Sequence, residues 1–146
     1  MQINVEIKEE LAEPVVTIQC GKKDHFIEQL IAALRIMDRQ LTVSFHGAAT
    51  TLALSEILYI ESVDRKTFIY TEQQIYETDK RLYEFENHLK NRSFFRASKA
   101  VIINLKRTKS IRPEIGARLL LTMDNGEKVI VSRQYSSNIK TALGVM

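Results

Sequence analysis

The sequence predicts a mainly β fold with one central helix, preceded by a short β-β-α extension. Three observations carry that expectation. Apolar residues either alternate with polar ones or gather in short runs of β-branched and aromatic residues, which is strand spacing. Asn125-Gly126 sits between two such runs, Leu119–Met123 and Lys128–Val131, as a hairpin turn would. Helical spacing is confined to the segments after Asp24 and after Asp79, with a short tail from Arg133 that forms a last helix or turn.

The elements follow in order. Ile3, Val5 and Ile7 alternate as a half-buried strand, and after Pro14 residues Val15 to Cys20 read as a second. Asp24 caps a helix with Phe26, Ile27, Leu30, Ile31, Leu34 and Met37 at helical spacing. Leu41, Val43 and Phe45 alternate again, and the small, turn-like "SFHGAAT" from Ser44 to Thr50 marks a boundary. Residues 1–43 thus form a small extension, too short to bury a large core alone, and residues 44–146 form the main domain. In that domain Ile57–Ile60 and Thr67–Thr71 are strands separated by a charged loop from Glu61 to Lys66. "QIYET" pairs back across "EQQ", and Asp79 caps a short helix with Leu82, Phe85 and Leu89 on one face and Asn91 as a left-handed stop. Ala100–Ile103, apolar throughout, reads as a strand with little solvent on either face.

Composition narrows the function. The chain is 45% hydrophobic and 27% charged, enough for a packed core and unlike a disordered segment. Its one cysteine, Cys20, excludes an internal disulfide and fits a reducing compartment. Neither a secretory signal nor an apolar run long enough to cross a bilayer occurs, so a cytoplasmic protein without membrane insertion is expected. His25, His46 and His88 lack partners at metal-ligand spacing, and no phosphate-cradling glycine motif or G-x-S-x-G is present. Glu56 and Glu61 flank a strand and read as strand-end residues rather than an acid/base pair. The expectation is no enzyme, no cofactor and no metal.

Charge is unevenly placed. Residues 1–43 hold 5 Lys/Arg and 7 Asp/Glu, whereas residues 44–146 hold 16 and 11. From Arg92 to Arg112 there are seven basic residues and no acid, a single-sign block that suits a polyanion or an ordinary basic surface. Neither a helix-turn-helix nor an aromatic RNA-binding pattern is present, so any DNA contact falls to strand-edge loops. Three qualify: "DRKT" (Asp64–Thr67), "RASK" (Arg96–Lys99) and "SRQY" (Ser132–Tyr135), each offering long donors beside a hydroxyl or amide. Singly, each is also an ordinary solvated turn.

In order and spacing, "EILYIESVDRKTFIYT", "RLYEFENHL", "FFRASKAVIINL" and "NGEKVIVSRQY" resemble the LytTR-type DNA-binding domain of bacterial transcription regulators, over about residues 45–144. The resemblance implies an elongated fold of small packed sheets with one intervening helix, whose loops enter successive major grooves of a repeated site. It implies base or phosphate donors at Lys66, Lys99 and Arg133, register-setting or base-edge contacts at Thr67, Ser98 and Gln134, and a phosphate contact at Arg96. Some members carry His and Asn where Thr67 and Lys99 stand, so base preference does not carry over. Many members also have a receiver domain, which residues 1–43 are too short to supply, and the stand-alone form is expected. The expected partners are duplex DNA with repeated half-sites, a second copy at least on DNA, and a regulatory protein. The extension would dimerise the chain or receive a signal, with its Phe26/Leu30/Leu34/Met37 stripe serving that end or packing within its own chain. The alternative is a non-catalytic interaction module that turns the same basic surface to an acidic protein or a membrane partner.

Overall fold

The computed structural model describes residues 1–11, 14–90 and 92–144. Among them the mainly β expectation is met, by three antiparallel sheets and three helices. A first helix, α1 (His25–Asp38), leads into the hairpin β1 (Gln40–Phe45) and β2 (Ala48–Ala53). The central sheet runs in the order β5-β4-β3-β7-β6. Its strands are β3 (Ile57–Val63), β4 (Lys66–Thr71), β5 (Ile75–Thr78), β6 (Phe94–Arg96) and β7 (Val101–Asn104), with α2 (Leu82–His88) inserted between β5 and β6. The third sheet, β10-β9-β8, is built from β8 (Thr108–Glu114), β9 (Arg118–Met123) and β10 (Lys128–Val131), and α3 (Arg133–Ala142) follows it.

The central sheet is buried on both faces, which explains why its middle strands read as unbroken apolar runs. On one side Ile57, Ile60, Ile69 and Ile102 pack with Leu41, Val43 and Leu52 of the hairpin and Leu82 and Phe85 of α2. On the other, Leu58, Tyr59 and Ile103 pack with Leu119, Leu121 and Val131 of the third sheet and Ile139 of α3. A register irregularity between Ile57 and Tyr59 lets Leu58 and Tyr59, neighbours in sequence, join the same core. Arg107 ties the layers at one corner. Its guanidinium donates to Asp124 Oδ2 at 2.8 Å, the Ser55 carbonyl at 2.8 Å and Glu72 Oε1 at 2.6 Å.

Several expectations give way. Residues 3–7 and 15–20 form no strand, because no other described segment offers them a ladder, and Ile3, Val5 and Ile7 are all exposed. Asp24 does cap α1, accepting from the Ile27 amide at 3.1 Å, yet α1 buries none of its residues. The 43/44 boundary falls inside β1, whose Leu41 and Val43 belong to the core. The Glu61–Lys66 loop shrinks to a two-residue turn, since β3 continues to Val63 and pairs with Lys66. Asp64 and Arg65 there have φ of 51° and 69°, the left-handed pair of a type I′ turn. By contrast, Asn125-Gly126 lies in a three-residue loop closed by the Met123 amide on the Glu127 carbonyl, with only Gly126 left-handed (φ 88°). The α2 cap is Arg81 rather than Asp79, its amide donating to Glu84 Oε2 at 2.7 Å. Strands β2, β6 and β8 were not foreseen, and the proposed stop at Asn91 lies outside the described residues.

Candidate nucleic-acid interface

Backbone hydrogen bonds gather the three sequence-predicted loops at one end of the central sheet. The β3–β4 turn connects to the β6–β7 loop through the Ser62 amide, which donates to the Ala100 carbonyl at 2.8 Å. That loop connects to the start of α3 through the Ser132 amide, which donates to the Ala97 carbonyl at 2.8 Å. Ala97 is wholly buried and its amide donates to the Val101 carbonyl, so the loop leaves and re-enters the sheet over a fixed base. Lys66, Lys99, Arg133 and Gln134 are exposed at this end, and Ser98 is half-buried. Arg133 and Gln134 open α3, whose first-turn amides add partial positive charge.

Three assigned residues are placed differently from expectation. Thr67 is 2% exposed and faces the core side of β4, leaving no route to a base edge. Lys66 is solvent-exposed but pairs with Glu77 at 3.3 Å. Arg96 is spent inside the protein. It donates Nε to the Ser98 carbonyl at 2.8 Å, Nη2 to the Lys99 carbonyl at 2.5 Å and Nη1 to Glu86 Oε2 at 3.2 Å. Its side chain is 18% exposed, so Arg96 shapes the loop that presents Lys99 and has little left to offer a phosphate. Arg96→Gln is therefore expected to weaken duplex binding about tenfold, or 1.4 kcal/mol, with the salt dependence unchanged. If Arg96 neutralised a phosphate, the slope of log K against log salt would instead fall by about 0.9. Affinity measured at three salt concentrations separates the two.

The acid-free block of the sequence is not acid-free in space. Arg92 pairs with Asp38, Arg96 with Glu86, Arg107 with Glu72 and Asp124, and Arg112 with Glu114. Lys99, Lys106 and Lys109 carry no ion pair among the described residues, and of these only Lys99 stands at the loop cluster. Sequence reasoning missed Arg65. The type I′ turn puts it at the tip, exposed and with no ion pair among the described residues. A two-residue reading of the turn would have found it. Further along β3 and β4, away from the cluster, the cross-strand neighbours Tyr59 and Tyr70 stack at 4.3 Å, and the Tyr70 hydroxyl donates to Glu61 Oε1 at 3.1 Å. Burial, reinforced by Tyr70, Glu127 and Glu61, pushes the Tyr59 phenol up to about 12. Burial and Glu61 raise Tyr70 as well. Both rings stay neutral at physiological pH.

The described residues hold no group of three or more metal-ligating side chains, and no helix is long and apolar enough to cross a membrane.

Residues 47–144 match the family of the LytTr DNA-binding domain. A sensory transduction protein LytT from Bacillus anthracis is 28% identical over 144 residues, covering 99% of this chain and 51% of that protein. A LytT from Enterococcus faecalis is 32% identical over 95 residues, 64% of this chain and 39% of its own length. A transcriptional regulatory protein LytR from Staphylococcus aureus is 27% identical over 109 residues, 75% of this chain and 44% of its own. The chain spans about half the length, or less, of these curated relatives. Among solved structures, a LytTr DNA-binding domain from Bacillus cereus superposes with a TM-score of 0.67 at 33% identity, covering 73% of this chain and 97% of that one.

Proposed function

The chain belongs to the LytTr DNA-binding domain family, and from that premise we propose that it is a transcription regulator that reads duplex DNA in the major groove. Reading is done by the loop cluster, with Lys99 and Arg133 as the principal donors, Gln134 and Ser98 at base edges, and Lys66 and Arg65 on the flanking backbone. The observation that carries this reading is the hydrogen-bonded junction of the three segments, Ser62 to Ala100 and Ala97 to Ser132, beside the exposed Arg65, Lys99, Arg133 and Gln134. A rigid base matters because an ordered donor loses less entropy on meeting a phosphate or a guanine edge. Two copies act on repeated half-sites, and the residues ahead of β1 serve assembly or receive a signal from a regulatory protein.

Selection of bound sequences from a random duplex pool tests the reading. It is expected to enrich one short motif, repeated with its centres about one helical turn apart. A pool that emerges without enrichment contradicts specific recognition.

A further inference from the structure

The segment ahead of the hairpin is the least satisfied part of the molecule. Among the described residues sixteen large hydrophobic side chains are exposed, and ten of them lie within the first 37 residues. Ile3, Val5 and Ile7 are 77%, 82% and 88% exposed. They alternate at strand spacing and carry β-branched side chains, yet the only backbone hydrogen bond found among residues 1–11 is Leu11 amide to Lys8 carbonyl. Unpaired amides and carbonyls beside a row of apolar side chains make an open template for another strand. Helix α1 shares the condition, with its apolar Phe26, Ile36 and Met37 in solvent and no residue buried.

We infer that residues 2–8 pair antiparallel with the same residues of a second copy, across a two-fold axis at Val5, and that this strand pair with its two α1 helices forms the dimer interface. The sequence is self-complementary about that axis. With Val5 opposite its own counterpart, Ile3 stands opposite Ile7 twice, and all six apolar side chains share one face. On the other face Asn4 meets Glu6 and Gln2 meets Lys8, so no like charges are directly opposed. Moving the axis one residue toward the C-terminus would set Glu6 against Glu6. Charge also argues against other occupants. Residues 1–43 hold more acids than bases, unsuited to DNA or an anionic membrane surface. A lasting interface takes on the order of 800 Å² from each partner. Three strand side chains fall short of that alone, and the exposed apolar positions of α1 supply the rest. From the proposed function the inference borrows only the use of two copies; assembly and DNA binding are measured separately.

The test uses the full chain and mass in solution. Wild type is expected to sediment with the mass of two chains at micromolar concentration. Val5→Lys places two cations face to face on the axis and is expected to give one chain's mass. Because Val5 is 82% exposed in the single chain and belongs to neither core cluster, the circular dichroism and melting of the main domain should survive. In a Cys20→Ser background, Val5→Cys is expected to form an interchain disulfide on mild oxidation. A monomeric wild type, or a dimer that Val5→Lys leaves intact, overturns the inference. On DNA, Val5→Lys should keep the affinity for one half-site and lose at least about tenfold on a double site. Absence of any sequence-specific binding by the dimeric wild type would defeat the DNA reading and leave the dimer standing.

Discussion

Lys99→Ala is expected to weaken specific duplex binding tenfold to a hundredfold, and Arg133→Ala by a similar factor. Each side chain is exposed at the junction of the loops and forms no ion pair among the described residues, so each is available to a nucleic acid without breaking anything first. A bidentate contact to a base edge is worth about 1–3 kcal/mol, which sets the range. If the contact is to a phosphate, the slope of log K against log salt drops by about 0.9 for each residue removed. Stability should change by no more than about 0.5 kcal/mol, as for surface substitutions generally. Titration of each variant on a selected site at several salt concentrations gives both numbers. A folded Lys99→Ala, Arg133→Ala double variant that binds like wild type removes the cluster from the interface.

Asn104→Ala is expected to cost about 3 kcal/mol of stability, through the loss of a buried polar node. Asn104 is 1% exposed at the end of β7. Its Nδ2 donates to the Ile57 carbonyl at 2.9 Å. Its Oδ1 accepts from Ser93 Oγ at 2.8 Å and from the Lys106 amide at 3.1 Å. One side chain therefore holds the start of β3, the entry to β6 and the turn into β8. Alanine leaves the buried Ile57 carbonyl without this donor, strips the part-buried Ser93 hydroxyl and Lys106 amide of their acceptor, and opens a cavity between the strands. For a chain of this size the midpoint of thermal unfolding should fall by roughly 6–12 °C. A change of under about 0.5 kcal/mol in denaturant unfolding would show that the node is replaced by water or by relaxation.

How much of this could be read from the sequence depends on whether the signal is local. The apolar runs of β3 and β7, the α2 face of Leu82, Phe85 and Leu89, and the Asp24 cap all depend on neighbours a few residues away, and all are in place. The loop bounds were legible only in part, since Lys66 and Thr67 belong to β4, Arg96 ends β6, and Arg133 to Tyr135 form the first turn of α3. What was missed depends on distant partners. Arg107 meets Glu72 and Asp124, and Arg96 meets Glu86, so a block without acids in sequence is largely neutralised in space. Thr67 reads as the first residue of its strand and is assigned to the site through the family resemblance, which says nothing of the face it takes. Shortening the turn to Asp64-Arg65 puts Arg65 at the tip and Lys66 at the start of β4, and Thr67 then faces the core. Residues 3–7 have the spacing of a strand and find no partner within one chain, because alternation reports what a segment can pair with and not whether the partner is present.

The central claim is that one end of the central sheet meets DNA, and amide chemical-shift mapping of the protein on a selected duplex tests it most directly. Residues 63–66, 97–100 and 132–135 are expected to carry the large perturbations, with the β8–β9 turn and α1 unmoved. Perturbations centred on α1 or on the β8–β9 turn, with the three loops silent, would contradict it.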